Sequence, residues 1–141
     1  MAVGKIRKLG KTVNSVNQPN LFKPTLETVP SVSESGIYDF DIISVTYKPD
    51  KDILVLYGTP SRTNESGLVE VFKNIPICVS AKYAYDEVTP VEDLFDAFGL
   101  DIEQDVDLNS FIGKKVSVYI NVAEDVRTGR TFWNGEAFGS L

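Results

Sequence analysis

The sequence contains no histidine, and that absence removes more functions than any other feature of it. Ser-His and Cys-His catalysis need an imidazole to carry the proton, and His-based metal sites need its nitrogen as a ligand. Cysteine is nearly absent as well. Cys78 stands alone inside the apolar run "IPICVS", so no disulfide forms within the chain. A lone Cys beside Ile75, Ile77 and Val79 reads as a small core residue, and a cytoplasmic location is expected. No apolar run approaches the roughly 18 residues of a membrane span. The lysines near the N-terminus have no apolar stretch behind them, so no secretory signal and no membrane partner are expected. Neither G-x-x-x-x-G-K-[ST] nor G-x-G-x-x-G occurs, which removes the case for a nucleotide-binding loop. Carboxylates are plentiful, but clusters of them on a helix and its connector read as solvated faces. A binding module without catalysis, cofactor or metal is the starting expectation.

What the chain does have is an uneven distribution of charge. Its 141 residues suit one domain with some tail left over, and its formal net charge is −6. Residues 1–30 hold Lys5, Arg7, Lys8, Lys11 and Lys23 against Glu27 alone, a net of +4, which leaves −10 for the rest. The stretch Asp86 to Asp107 carries nine carboxylates and no cation. Residues 1–35 lack sustained periodicity and are rich in Ser, Thr, Asn, Pro and Val, so they read as an extended or disordered basic arm preceding a domain of residues 36–141.

Periodicity then organises the domain. In "GIYDFDIISVTYK", residues 36–48, Tyr38, Phe40 and Ile42 alternate on one face and Ile43, Val45 and Tyr47 on the other. A phase flip of this kind suits a long strand with a bulge, because one extra residue reverses every later side chain. "KPDKD" reads as a turn, "ILVLYG" (53–58) as a strand, and "TPSRTNESG" as a polar loop. "LVEVFKNIPICVS" reads as a third strand or strand pair, with Pro76 placing its second part at an edge or past a bend. "TPVEDLFDAFG" predicts a helix: Thr89 as N-cap, Pro90 at the first helical position, and Glu92 completing a T-x-x-E capping box. Its apolar face is Val91, Leu94, Phe95 and Phe98, with Asp93 and Asp96 facing water and Gly99 closing the C-terminus. After an acidic connector, "FIGKKVSVYINVAEDVRTGRTFWNGEAF" reads as a hairpin. Val116, Val118, Ile120 and Val122 point one way, Ser117, Tyr119 and Asn121 the other, and the turn lies near Arg127–Arg130. Three strands, a helix and two strands make the expected fold mainly β, a five-stranded OB-fold Greek-key barrel with one short helix between strands three and four.

The run "GIYDFDIISV", the "DLFDAFGL" helix and above all "FIGKKVSVYI" with its charged hairpin and terminal aromatic strand carry a resemblance over roughly residues 36–138. The chain resembles the single-stranded-DNA-binding proteins encoded in replication and recombination modules of tailed bacteriophages. The resemblance implies sequence-independent binding of single-stranded DNA during phage DNA replication or recombination, in the host cell cytoplasm. Expected partners are single-stranded DNA, further copies of the chain (a dimer first) and replication or recombination proteins of phage or host. Many such proteins end in an acidic tail that recruits partners, whereas this sequence stops at "AFGSL", so recruitment of that kind is not expected. A non-catalytic protein-interaction or assembly module of a phage complex is the alternative, favoured by the acidic charge.

Binding single strands without regard to sequence needs cations for phosphates and flat aromatic faces for bases. An OB-fold passes its ligand across strands two and three, between the loops joining strands 1–2 and 4–5. The first loop carries Lys48 and Lys51 after Tyr47. The second carries Arg127 and Arg130, with Phe132 and Trp133 beyond. Tyr57 and Arg62 fall at the end of strand two, and Phe72 and Lys73 on strand three. The nucleic-acid-binding candidates are therefore Tyr47, Lys48, Lys51, Tyr57, Arg62, Phe72, Lys73, Arg127, Arg130 and Trp133. Trp133 is equally suited to fill the core.

Overall fold

A computed structural model describes Phe22, residues 29–84 and residues 86–141. Most of the basic arm expected over residues 1–35 therefore lies outside the described residues. The described chain is mainly β. It comprises strands β1 (Gly36–Lys48), β2 (Ile53–Thr63), β3 (Val69–Val71) and β4 (Ile75–Ser80), helix α1 (Pro90–Ala97), a 3-10 turn (Leu108–Phe111), and strands β5 (Lys115–Glu124) and β6 (Thr131–Gly139).

All six strands join one sheet in the order β1-β5-β6-β4-β2-β3, and β1 pairs in addition with β2. Every pairing is antiparallel except that of β4 with β6, a parallel bridge matching Ile77 with Trp133 and Cys78 with Asn134. The length of β1 lets it serve two neighbours. Gly36–Asp41 pair with β5, and Asp39–Lys48 follow β2.

The phase flip expected in β1 is a bulge. Register steps from Ile42↔Gly58 to Ser44↔Tyr57, leaving Ile43 as the extra residue. The reversal lets Tyr38, Phe40 and Ile42 enter the core before the bulge and Val45 pack against it afterwards. Gly58, opposite Ile42, is required by the close approach. A Cβ there would overlap the Asp41 carbonyl oxygen.

Elsewhere the sheet departs from the sequence expectation. β2 runs on through "TPSRT", which the sequence assigns to a loop, because both β1 and β3 offer it partners there. Pro60 lies inside it, and its carbonyl accepts from the Phe72 N–H at 2.9 Å. The run 68–80 breaks at Phe72–Asn74 into β3 and β4, so the described residues hold six strands, not five. Pro76 lies on β4 one residue before the bridge to β6, where its missing N–H leaves that bridge intact.

Helix α1 starts and ends where expected, and it buries Val91, Leu94 and Phe95. Phe98 is half-buried and stacks on Phe111 at 5.1 Å. Gly99, at φ +70°, ends the helix in a Schellman arrangement: its N–H donates to the Asp96 carbonyl, and the Leu100 N–H to that of Phe95. The capping box does not form. Thr89 is the N-cap, but its buried hydroxyl has no hydrogen-bond partner among the described residues. Asp93 does not simply face water either. Its carboxylate accepts from the Phe138 N–H and ties the helix to β6. Among the described residues no helix is long and apolar enough to cross a membrane.

The packed body also begins earlier than residue 36. Val32 is 1% exposed and belongs to the core, the Pro30 carbonyl accepts from Lys73 N–H, and the Ser35 hydroxyl accepts from Val122 N–H. An isolated valine among Ser, Pro and Glu has no periodicity to announce it.

Candidate nucleic-acid interface

Strand alternation sorts the aromatic side chains before any question of ligand arises. In β2, Leu54 and Leu56 are buried while Tyr57 faces out. Tyr57 is matched with Ser44 on β1 and with Pro76 on β4, both exposed. On the other side of β4, the residue preceding the parallel bridge on β6 is Phe132, as Pro76 is on β4. Ser44, Tyr57, Pro76 and Phe132 therefore form one outward row across four strands. Tyr57 is 39% exposed and Phe132 41%. Two strand spacings, about 10 Å, separate them. The next row is Thr46, Val55, Cys78 and Asn134, a surface of small side chains.

Two turns flank this face. Lys48 and Lys51 are exposed in the β1–β2 turn, and Arg127 and Arg130 in the β5–β6 turn. Two carboxylates accompany each turn, Asp50 and Asp52 within the first, and Asp125 in the second with Glu124 at the end of β5 before it. Two of the four carboxylates are committed locally. Asp52 accepts from the Tyr47 hydroxyl at 3.0 Å, a bond that raises the Tyr47 pKa, and Asp125 accepts from the Arg127 N–H at 2.9 Å. The Asp125 backbone closes the turn further through Arg130 and Gly129. Among the described residues neither Arg127 nor Arg130 is in an ion pair.

The remaining candidates divide differently from the sequence expectation. Trp133 shares its register position with Ile77 and Val122, packs against the core, and donates from Nε1 to the Val32 carbonyl at 2.8 Å. It is the inward neighbour of Phe132 and presents no free ring face in that row. Tyr47, beyond the bulge, pairs with Leu54 and turns to the other side of β1 from Ser44. Phe72 and Lys73 lie just past β3 and not on it. Phe72 is 8% exposed, with Tyr38 edge-on at 5.5 Å; Lys73 is exposed.

Arg62 is drawn into a network of its own. Its guanidinium bonds Glu34 at 3.1 Å, Glu70 at 3.2 Å and the Tyr38 hydroxyl at 3.3 Å, and it lies 5.3 Å from both the Tyr38 and Phe72 ring centroids. The bonds to the two carboxylates hold its pKa above the ordinary guanidinium value. Arg62 therefore closes the sheet edge over two rings, and a phosphate would have to compete with two carboxylates already in place.

The outward row thus unites Tyr57 with Phe132, flanked by Lys48, Lys51, Arg127 and Arg130. Phe132 is the residue that sequence reasoning passes over in favour of Trp133. Period-2 alternation says that adjacent residues face opposite sides, and only the non-local bridge to β4 says which faces out. No family model matches the chain, and no curated protein matches it.

Proposed function

We propose that the chain binds single-stranded DNA without sequence preference, as a non-catalytic module of OB type serving phage replication or recombination. The OB reading is supported by the cycle of pairings β1–β2–β4–β6–β5–β1, by the parallel step between β4 and β6, and by a helix between β4 and β5. The observation that carries the function is the outward row pairing Tyr57 with Phe132 between two cation-bearing turns. Base stacking on such rings contributes about 1–3 kcal/mol each and accepts any base. Because each turn sets carboxylates beside its cations, phosphate attraction is modest and weakens further as salt rises.

The test is fluorescence anisotropy with labelled oligo-dT and with duplex DNA of equal length at two salt concentrations. Preferential, salt-sensitive binding of the single strand is expected. No binding of the single strand at low salt would remove this function and leave the alternative, a protein-interaction module, which the acidic charge of residues 31–141 favours.

A further inference from the structure

A second concave feature lies away from the Tyr57–Phe132 row, between the β1–β2 turn and the helix with its connector. It is a groove of about 520 Å³ whose lining includes Leu54, Val91 and Phe95, with Val106 from the connector and Asp52 and Asp105 among its polar groups. The connector belongs to the stretch of nine carboxylates without a cation. A groove that is part apolar and part acidic fits a segment that alternates aliphatic and basic side chains.

The chain supplies one such segment. Residues 3–11, "VGKIRKLGK", set Ile6 and Leu9 among Lys5, Arg7, Lys8 and Lys11. We infer that residues 3–11 dock in this groove of their own chain, with Ile6 and Leu9 on the apolar lining and the cations against the connector carboxylates.

Reach permits it. The Pro30 carbonyl is fixed to the Lys73 N–H, next to the Phe72–Pro60 bond at one end of the sheet. The groove reaches Leu54, six residues back along β2, or about 20 Å. Residues 12–28 supply 17 positions, up to about 60 Å of extended chain. Tethering makes the encounter intramolecular, so a local concentration in the millimolar range favours the chain's own groove over a neighbour's. The inference does not depend on the proposed function, and its test uses no nucleic acid.

A spin label at position 8 (Lys8→Cys in a Cys78→Ser background) is read by amide NMR of the full chain at low and high salt. Broadening centred on the two walls of the groove, Tyr47–Leu54 on one side and Ile102–Leu108 with the start of α1 on the other, is expected, relieved by high salt and by Asp105→Lys with Glu103→Lys. The same broadening in a mixture of spin-labelled, isotopically silent chains with unlabelled, isotopically enriched ones would mean docking between copies and overturn the assignment. Broadening elsewhere or nowhere, or broadening that survives the charge reversal, overturns it as well. Unchanged amide positions far from the groove in the Asp105→Lys, Glu103→Lys protein verify that the fold is intact.

Discussion

The indole of Trp133 donates its N–H to the carbonyl of Val32 across 101 residues of sequence, at 2.8 Å. The bond fixes the segment before β1 against β6 and commits the only tryptophan to structure. Trp133→Ala is expected to destabilise the protein by about 3 kcal/mol, the low end for deleting a large aromatic, since the ring is only partly buried. Trp133→Phe keeps an aromatic ring but leaves the Val32 carbonyl without its donor, at a cost of about 1–3 kcal/mol. Urea unfolding followed by circular dichroism measures both. A fully stable Trp133→Ala protein with impaired DNA binding would return the indole to the ligand face.

Val32 also illustrates where the sequence stops being legible. The span of β1, its bulge, the helix with its Gly99 terminus and the β5–β6 hairpin all follow from local signals: a phase flip, a capping pattern, an uninterrupted alternation. Val32 sits among residues with no period, and its burial is decided by partners on β6. Arg62 reads as a free cation in sequence, and only the fold brings Glu34, Glu70, Tyr38 and Phe72 around it. The same holds for the candidate site. Both turns and Tyr57 are legible, whereas the choice between Phe132 and Trp133 rests on a parallel bridge that no local pattern encodes.

Gly58 gives a second stability prediction. Its missing side chain lets β1 and β2 approach beside the bulge, where a Cβ would meet the Asp41 carbonyl and, at 2.9 Å, the Phe40 ring. The atoms in the way are largely backbone and cannot rotate aside. Gly58→Ala is therefore expected to cost more than about 3 kcal/mol, above the usual range for overpacking. Gly139→Ala, where nothing lies within 4 Å, is the control and changes stability little. Equal midpoints for the two variants in urea would contradict the close approach.

Tyr38 makes stability sensitive to alkali. Its hydroxyl donates to the Glu34 carbonyl at 2.7 Å, and burial raises its pKa first, with Glu34 and Glu70 adding to the rise against the lowering by Arg62. A phenol whose folded pKa lies above its unfolded value keeps its full contribution below the ordinary tyrosine range, about 10. That contribution is lost as pH climbs through the raised value, because the unfolded chain ionises first. Stability is expected to fall above about pH 10, and Tyr38→Phe should flatten part of that fall while costing about 1 kcal/mol at neutral pH. Urea midpoints across the alkaline range decide it; identical pH slopes for the two proteins would exclude Tyr38 as the cause.

The sharpest functional prediction sets Phe132 against its neighbour. If the outward row binds bases, Phe132→Ala and Tyr57→Ala each weaken oligo-dT binding by about 1–3 kcal/mol. Each also costs some stability, about 1–2 kcal/mol, because the sheet covers more than half of each ring-bearing residue, so the urea midpoints show how much of the protein stays folded in the binding assay. Arg127→Ala with Arg130→Ala should lower affinity and reduce the salt slope by roughly 0.7 for each phosphate that is no longer neutralised. The effect on folding is small, since the turn is closed by Asp125 and backbone bonds and not by the guanidinium groups. Tyr47→Ala should leave affinity unchanged, because that ring turns away from the row toward Asp52. Anisotropy titrations at several salt concentrations, paired with urea midpoints, separate these outcomes. Affinity that survives removal of both Tyr57 and Phe132 would move the binding face off β2, β4 and β6. A salt slope untouched by the double arginine variant would remove the β5–β6 turn from the path of the strand.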